Sequence, residues 1–358
     1  MAKKILVAMS GGVDSSVAAA LLLEQGHEVA GATIRTWASN TCVNRNTRAC
    51  CGFSGVEDAR DVAERLGIRY WVFNFEEEFK RHVVDAFASE YLKGRTPNPC
   101  ISCNEHIKFR LFLKRARQLG FDAIATGHYA RLSYDETSKT CSIEEGEDPT
   151  KDQSYVLFPL DQEILRHLYL PLGAYSKKEI REKARALQLT SVMEKADSQE
   201  ICFIPSNDYP HFIEREFEVE KKEGVIRKKN GEVLGKHPGY YHFTRGQRRG
   251  LGVPYSERLY VLETIPETNE VIVGTKEEVL DRGFTVERVN WFLRPSTSCF
   301  QAFVKIRSQH PKAPAKIEIQ NEESRVQVTF EEPQEAVTPG QAAVFYQGTK
   351  VLGGGWIG

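Results

Sequence analysis

Two hydrophobic periods alternate over the first two hundred residues, and that alternation limits the fold more than any other feature of the chain. Lys4–Met9 is a short apolar run of strand type. Ser15–Glu24 has helical spacing, with Val17, Leu21 and Leu22 on one face, and Val29–Ile34 is strand-like again. Val56–Leu66 reads as an amphipathic helix and Arg69–Phe75 as a strand rich in aromatic and β-branched residues. Glu77–Leu92 and Glu105–Leu119 read as helices, Ala123–Tyr129 as a strand, and Tyr175–Leu187 as a helix opened by Ser176. Such a βαβα pattern packs as a parallel sheet with helices on its faces. After about residue 215 the texture changes. Val225–Leu234 carries a hairpin pattern with Asn230-Gly231 at the turn. Tyr260–Leu262 and Val271–Gly274 flank a polar turn. From Phe284 onward short strands follow closely: Phe300–Ile306, Ala315–Ile319, Val326–Phe330, Ala342–Tyr346 and Lys350–Leu352. That spacing suits a small antiparallel barrel. The expected fold class is therefore α/β: a parallel-sheet domain over 1–210, a small β-rich domain over 211–280 and an antiparallel β-barrel over 281–358.

Composition narrows the possibilities without choosing among them. A chain of 358 residues that is 41% hydrophobic can bury a sizeable core in two or three domains. Its 48 basic and 49 acidic residues nearly cancel, so any nucleic-acid surface must be a local patch. No apolar run approaches the roughly 20 residues of a membrane helix. The start, Met1-Ala2-Lys3-Lys4-Ile5-Leu6-Val7, is basic and then apolar, but Ser10-Gly11-Gly12 breaks the run before the roughly 7–15 residues of a signal h-region. It reads as a buried first strand, and the expected location is the cytoplasm. Eight cysteines are too few for a disulfide scaffold and point instead to metal or redox chemistry.

The first chemical motif is Ala8-Met9-Ser10-Gly11-Gly12-Val13-Asp14-Ser15-Ser16, which follows a strand and opens a helix. Two glycines let the backbone turn sharply and approach a ligand. Amides at the helix start then face an anion, aided by the helix dipole. Ser10, Ser15 and Ser16 add hydroxyl donors, and Asp14 is placed to hold Mg²⁺ or to orient water around phosphates. The absence of a Gly-Lys-[Ser/Thr] element excludes a Walker loop. The plainer alternative is a strand-to-helix turn capped by Ser10. The second motif is a proline-punctuated loop, Arg95-Thr96-Pro97-Asn98-Pro99-Cys100-Ile101-Ser102-Cys103-Asn104, leading into the helix expected near Glu105. Cys103 would then sit just before that helix, where the dipole favours a thiolate. Cys202 follows in Asp197-Ser198-Gln199-Glu200-Ile201-Cys202-Phe203-Ile204. A zinc half-site at Cys100 and Cys103 would need a second pair, and only the adjacent Cys50-Cys51 is on offer. Cys202 alone would pass for a small buried hydrophobe. Cys42, Cys50, Cys51, Cys141 and Cys299 receive no role.

Ser-Gly-Gly-Val-Asp-Ser resembles the pyrophosphate loop of the N-type ATP pyrophosphatases, which cleave ATP between the α and β phosphates and leave AMP on a substrate oxygen. Gly94-Arg95-Thr96-Pro97-Asn98-Pro99, Cys103-Asn104 with Ile107-Lys108-Phe109, and Ala125-Thr126-Gly127-His128-Tyr129 resemble the tRNA-specific 2-thiouridylase family. So do Lys151-Asp152-Gln153-Ser154-Tyr155, Asp197-Ser198-Gln199 with Ile201-Cys202-Phe203, and Gly246-Gln247-Arg248-Arg249-Gly250-Leu251, so the likeness covers essentially the whole chain. The resemblance implies an adenine-nucleotide alpha-hydrolase-like (PP-loop) fold for the first domain and tRNA binding by the two that follow. It implies that ATP is bound by Ala8, Met9, Ser10, Gly11, Gly12, Val13, Asp14 and Ser15, with Ile34 and Gly127 lining the adenosine pocket. Mg²⁺ is expected with the nucleotide. The implied reaction is 2-thiolation of a wobble uridine: the C2 oxygen is adenylated and sulfur arrives from a persulfide on Cys202. Cys103 then either attacks that persulfide, forming a Cys103–Cys202 disulfide, or releases hydrosulfide. The implied partners are a tRNA with a modifiable wobble uridine and a protein sulfur carrier or cysteine desulfurase, with no membrane involved.

By the same resemblance Asn98, Pro99 and Cys100 lie beside the target base, which must leave its stack. His128, Lys151, Asp152 and Gln153 contact RNA nearby, and Arg307, Ser308 and Gln341 contact it from the barrel. Many members carry Asp where this chain has Cys100. That change either moves an assisting role elsewhere or makes Cys100, Cys103 and Cys202 a set suited to an iron–sulfur cluster. Tyr129 and His242 read as packing residues. Two rival readings stand beside this one. A different PP-loop adenylating ligase or amidotransferase acting on a small molecule explains the loop but leaves Cys103 and Cys202 idle. A non-catalytic RNA-binding protein with a degenerate nucleotide fold is the other, and the intact loop argues against it.

Overall fold

The computed structural model describes residues 2–37, 53–193, 201–204, 208–320 and 324–358. It divides into two compact units: Met1–Val83, Pro99–Pro205 and Gly348–Leu352 in the first, and Val84–Asn98, Ser206–Gln347 and Gly353–Gly358 in the second. The heart of the first unit is a five-stranded sheet of β1 (Lys4–Ala8), β2 (Glu28–Arg35), β3 (Arg69–Asn74), β4 (Ala123–Ala125) and β7 (Leu168–Tyr169). Its order is β3-β2-β1-β4-β7, and every pair is parallel. Ile5, Leu6 and Val7 of β1 are wholly buried, as a central strand covered on both faces requires. The helix Val13–Glu24 is also buried around most of its surface, and its Ala18-Ala19-Ala20 run lets neighbours approach closely. Its Val17 and Leu21 share one core with Ile180 and Ala184 of the helix Lys177–Ala186. A hairpin of β5 (Ala130–Asp135) and β6 (Thr140–Glu145) completes the unit, with Lys350 pairing to Glu144.

In the second unit, β8 (Gly224–Lys228) and β9 (Val233–His237) form the expected hairpin, with Gly231 at φ +92 in its turn. β10 (Tyr260–Ile265) and β11 (Glu270–Gly274) form another, and β11 pairs parallel to β8. Ile226, Phe243, Leu251, Leu259, Val261, Val271 and Val273 fill their core. Six strands follow: β12 (Leu280–Trp291), β13 (Cys299–Lys305), β14 (Ala313–Ile319), β15 (Val326–Glu335), β16 (Ala342–Gln347) and β17 (Lys350–Ile357), the last belonging to this unit from Gly353 onward. They run in the order β12-β15-β14-β13-β16-β17, and pairing of β12 with β17 closes the barrel. Alternation sets its interior: Ala313, Ala315 and Ile317 of β14 point inward while Pro314 and Lys316 face out.

The expected elements are present, with informative shifts. The helix expected from Glu105 already begins at Pro99, and residues 103–111 within it are wound as a π-helix. Pro at the first helical position explains the early start, since its fixed φ and missing amide suit that place. The strand expected over Ala123–Tyr129 stops at Ala125. The β5–β6 hairpin and most of β12 had no clear signal. β5 and β6 mix small and polar residues, and β12 contains Gly283, register shifts and Arg288 at φ +51.

Ser176 caps the helix Lys177–Ala186 with a full capping box. Its Oγ accepts from the Glu179 amide at 3.3 Å, and the Ser176 amide donates to the Glu179 carboxylate at 2.7 Å. Ser176→Ala should lower stability by about 1 kcal/mol in urea unfolding. An unchanged midpoint would show that the box does not hold this helix end.

Candidate active site

Strand order reverses at β1, whose neighbours are β2 on one side and β4 on the other, and the carboxyl ends of strands at such a reversal are where open α/β sheets take their ligands. Ser10–Gly12 lies there after β1. The Met9 amide donates to the Ala32 carbonyl at 2.9 Å, and Thr33 Oγ1 donates to the Met9 carbonyl at 2.6 Å, so β2 fixes where the loop departs. Tyr70 in turn donates to Thr33 Oγ1 at 2.6 Å. Gly11 stands at φ +73, and a side chain on it would run into the backbone of Gly55. Gly12 is the N-cap of the helix Val13–Glu24 and supplies no side-chain cap. Ser15 Oγ accepts from the Ser10 amide at 3.1 Å and donates to the Gly12 carbonyl at 3.2 Å, which holds the turn closed on itself.

Gly127, after β4, fits flush against this loop. A Cβ there would lie 2.8 Å from the Ser15 nitrogen and 2.9 Å from the Asp14 carbonyl carbon. Ile34 is buried near the carboxyl end of β2. Ala8, Met9, Ser10, Gly11, Gly12, Val13, Asp14, Ser15, Ile34 and Gly127 are thus gathered at the ends of three adjacent strands. Asp14 does more than the sequence suggested. Its Oδ1 accepts from Tyr129 at 2.6 Å, and both its oxygens accept from Lys177 Nζ at 2.8 Å. Tyr129, read from sequence as packing, is therefore part of the loop's polar surroundings. Lys177 was missed altogether. One signal was available: a lysine at the first position of a helix opposes the macrodipole, so some anion must face it.

The thiols occupy different settings in the same unit. Cys100 is exposed in the first turn of the helix that begins at Pro99, whereas Cys103 is buried one turn further along. The expectation that Cys103 precedes the helix is corrected: Pro99 starts the helix early, so the dipole acts most strongly at Cys100. Cys202 is exposed, while Phe203 beside it is buried against Phe79 and Trp37, with ring centroids 5.6 and 6.5 Å away. The aromatic contact seats the Cys202 segment. Asp197-Ser198-Gln199 and Glu200, like Cys42, Cys50 and Cys51, lie outside the described residues. Among the described residues no three His, Cys, Asp or Glu side chains gather as a metal-binding group, so Cys100, Cys103 and Cys202 are not assembled as cluster ligands here.

The residues expected to touch RNA fall into two kinds. His128 is buried beside Phe109, and its Nδ1 shares a 2.8 Å hydrogen bond with Thr126 Oγ1. Asp152 accepts from the amides of Gly146 and Ser154, each at 3.1 Å. The Gln153 carbonyl oxygen Oε1 accepts from the Tyr129 amide at 3.0 Å, so Asp152 and Gln153 brace the stretch that carries Tyr129. Lys151, between exposed and buried, adjoins them. In the second unit Gln341 Nε2 donates to the Thr96 carbonyl at 2.8 Å, and Arg95 reaches the Ile357 carbonyl at 3.0 Å. Gln341 therefore anchors the loop that leads to Asn98. Arg307 donates to the Glu335 carbonyl at 3.3 Å, with Ser308 beside it. His242 bonds Glu214 at 3.1 Å, the packing role expected of it.

Burial, aided by the Lys108 cation, pushes the His128 pKa from the ordinary 6.5 down to about 3. Unfolding would let it protonate. Its neutral form therefore favours the fold above pH 6.5, and that contribution drains away as pH falls towards 3. The His128 ring resonances should stay flat from about pH 8 to about pH 5 in an NMR titration. A midpoint near the unperturbed value would contradict the buried, neutral assignment.

Comparison with known proteins agrees with this geometry. The family model described as the tRNA methyl transferase HUP domain matches residues 3–206, its PRC-barrel domain matches 210–275, and the aminomethyltransferase beta-barrel domain matches 281–357. The tRNA-specific 2-thiouridylase MnmA of Carboxydothermus hydrogenoformans is 49% identical, over 99% of this chain and 97% of that one. The protein of the same name from Geobacter metallireducens is 48% identical, over 99% and 96%. A solved 4-thiouridine synthetase–RNA complex with bound ATP is similar over 60% of this chain and 50% of that one, at 20% identity and a TM-score of 0.39, too remote to draw on. The domain descriptions speak of methyl transfer and the relatives of thiolation. The relatives decide, because near-half identity extends over the whole length. The chain belongs to the tRNA-specific 2-thiouridylase family.

Proposed function

We propose that this chain is a tRNA-uridine 2-sulfurtransferase, which uses ATP to replace the C2 oxygen of the wobble uridine with sulfur. The observation that carries the reading is the loop at the reversal of strand order, with Cys103 and Cys202 in the same unit of a chain nearly half identical to 2-thiouridylases. The C2 carbonyl of uridine is a poor electrophile and its oxygen a poor leaving group. Adenylation solves both problems. The base oxygen attacks the α phosphate, pyrophosphate departs, and the base then carries AMP as a leaving group. Amides at the start of the helix Val13–Glu24 would stabilise the charge that develops on the phosphates.

Sulfur transfer follows. Cys202, exposed and therefore accessible to a sulfur carrier or desulfurase, would hold a persulfide. Its terminal sulfur attacks C2 and AMP leaves. Cys103 then attacks the inner sulfur of Cys202, the sulfur–sulfur bond breaks towards the base, and a Cys103–Cys202 disulfide remains. An external thiol reductant restores both thiols. Release of hydrosulfide by Cys103 before attack gives the same products. Both cysteines are thiols in this structure. Asp14, a hard oxygen donor, suits Mg²⁺, which would neutralise phosphate charge. Asn98, Pro99 and Cys100 would meet the target base, and Arg307 with Ser308 would contact the stem. No helix among the described residues is long and apolar enough to cross a membrane, and action on tRNA suits a cytoplasmic enzyme.

Cys202→Ser should abolish thiouridine formation while leaving tRNA-dependent pyrophosphate release within about twofold of wild type, because adenylation does not use that thiol. Full sulfur transfer by this variant would sink the assignment of Cys202. Asp14→Ala should lose pyrophosphate release by about a hundredfold or more yet still bind tRNA. Pyrophosphate release driven by a small acid or amide without tRNA would favour the ligase reading instead.

A further inference from the structure

Lys177 sits where the proposed reaction needs a cation, and neither the loop's motif nor the resemblance assigns it a role. The loop Ala8–Ser16 contains no Lys or Arg, yet it carries Asp14 into a site meant for a polyanion. Lys177 reaches that loop from a different element, the first position of the helix Lys177–Ala186. Its side chain is only 10% exposed, and Nζ lies 2.8 Å from both oxygens of Asp14. The ring of Tyr129 lies 5.8 Å from the same nitrogen. The far end of the residue is fixed, because the Lys177 amide donates to Asp148 Oδ2 at 3.0 Å and Ser176 caps the helix.

A lysine buried to this degree needs an anion. It also stands at the positive end of its own helix, which adds to the demand for negative charge. Asp14 meets that demand when no nucleotide is bound. It meets it at the expense of the site, since a carboxylate in an anion loop repels phosphate.

We infer that Lys177 is a triphosphate-binding residue of the adenylation step, held by Asp14 until the nucleotide arrives. This rests on the nucleotide reading of the loop given above. On arrival, Nζ passes from the carboxylate to phosphate oxygens, a movement of the side chain alone. Asp14 would keep its hydrogen bond from Tyr129, and as a hard oxygen donor it would suit a Mg²⁺ ion whose charge would offset that of the phosphates. One ammonium–carboxylate pair is exchanged for an ammonium–phosphate pair, so the nearly buried ammonium faces an anion at each stage, while Asp14 is the more exposed of the two.

The test is equilibrium binding of ATP and of adenosine to the full chain, with Lys177→Met, Asp14→Asn and the double variant beside wild type. Lys177→Met should weaken ATP by about tenfold or more and leave adenosine within about twofold, because one charge-assisted contact is lost and the nucleoside pocket is not. Equal loss of ATP and adenosine would make Lys177 a purely structural partner of Asp14 and overturn the proposal, as would no loss of either. Asp14→Asn, measured with metal chelated, should bind ATP more tightly than wild type, since Lys177 no longer has a carboxylate to leave. Weaker binding there would overturn the exchange. The double variant removes both charges together and so remains measurable if Lys177→Met alone does not fold; it should lack the gain seen in Asp14→Asn. If wild type binds neither ligand, the nucleotide reading itself falls, a result distinct from every outcome above.

Discussion

Parallel pairing of β1 with β2 on one side and β4 on the other decides where the chemistry of the first unit can lie. Strand order reverses between these pairs, and the carboxyl ends of strands at such a reversal are where open α/β sheets take ligands. The fully buried Ile5, Leu6 and Val7 hold β1 in place at that seam, and the chain that follows has one place to go. Gly11 turns it, Gly12 begins a helix without a side-chain cap, and Gly127 closes against it from β4. A loop held this closely gives up little entropy when it meets a ligand, which is what a phosphate site asks of its backbone.

Charge at that reversal is balanced before any substrate comes. Asp14, Lys177 and Tyr129 form one hydrogen-bonded group in which the carboxylate is the common acceptor. His128, next to Tyr129 in sequence, is held neutral by burial and adds no cation. The two cysteines proposed to carry the sulfur chemistry are set differently. Cys202 is exposed on a segment seated by Phe203, and Cys103 is buried within a π-wound stretch of helix. An exposed thiol suits exchange with an external sulfur donor, and a buried one suits a step from which water is excluded.

Much of this was legible in the sequence because it depended on local pattern. Period-two and period-3.6 runs marked β1 to β3 and the helices between them, and the Ser-Gly-Gly-Val-Asp-Ser string sat where a strand must turn into a helix. Asn230-Gly231 marked its hairpin through the turn chemistry alone. What escaped depended on distant partners. Lys177 is 163 residues from Asp14, and only the awkward place of a lysine at a helix start hinted at it. The shift of Cys103 into the helix came from Pro99, whose preference for the first helical position outweighed the loop character of its neighbours. β12 bends through bulges and a left-handed Arg288, which erase the alternation by which a strand is recognised. The Gln341 hydrogen bond to the Thr96 carbonyl is likewise a contact across 245 residues that no local pattern carries.

The most direct test of the account is the nucleoside composition of tRNA after reaction. Unmodified tRNA would be incubated with ATP, Mg²⁺, a sulfur donor and anaerobically purified, iron-free protein, then digested and weighed by mass spectrometry. The account predicts 2-thiouridine confined to the wobble position, formed only when ATP is present. Absence of thiouridine with a sulfur donor shown to be active, or its formation without ATP, would contradict it.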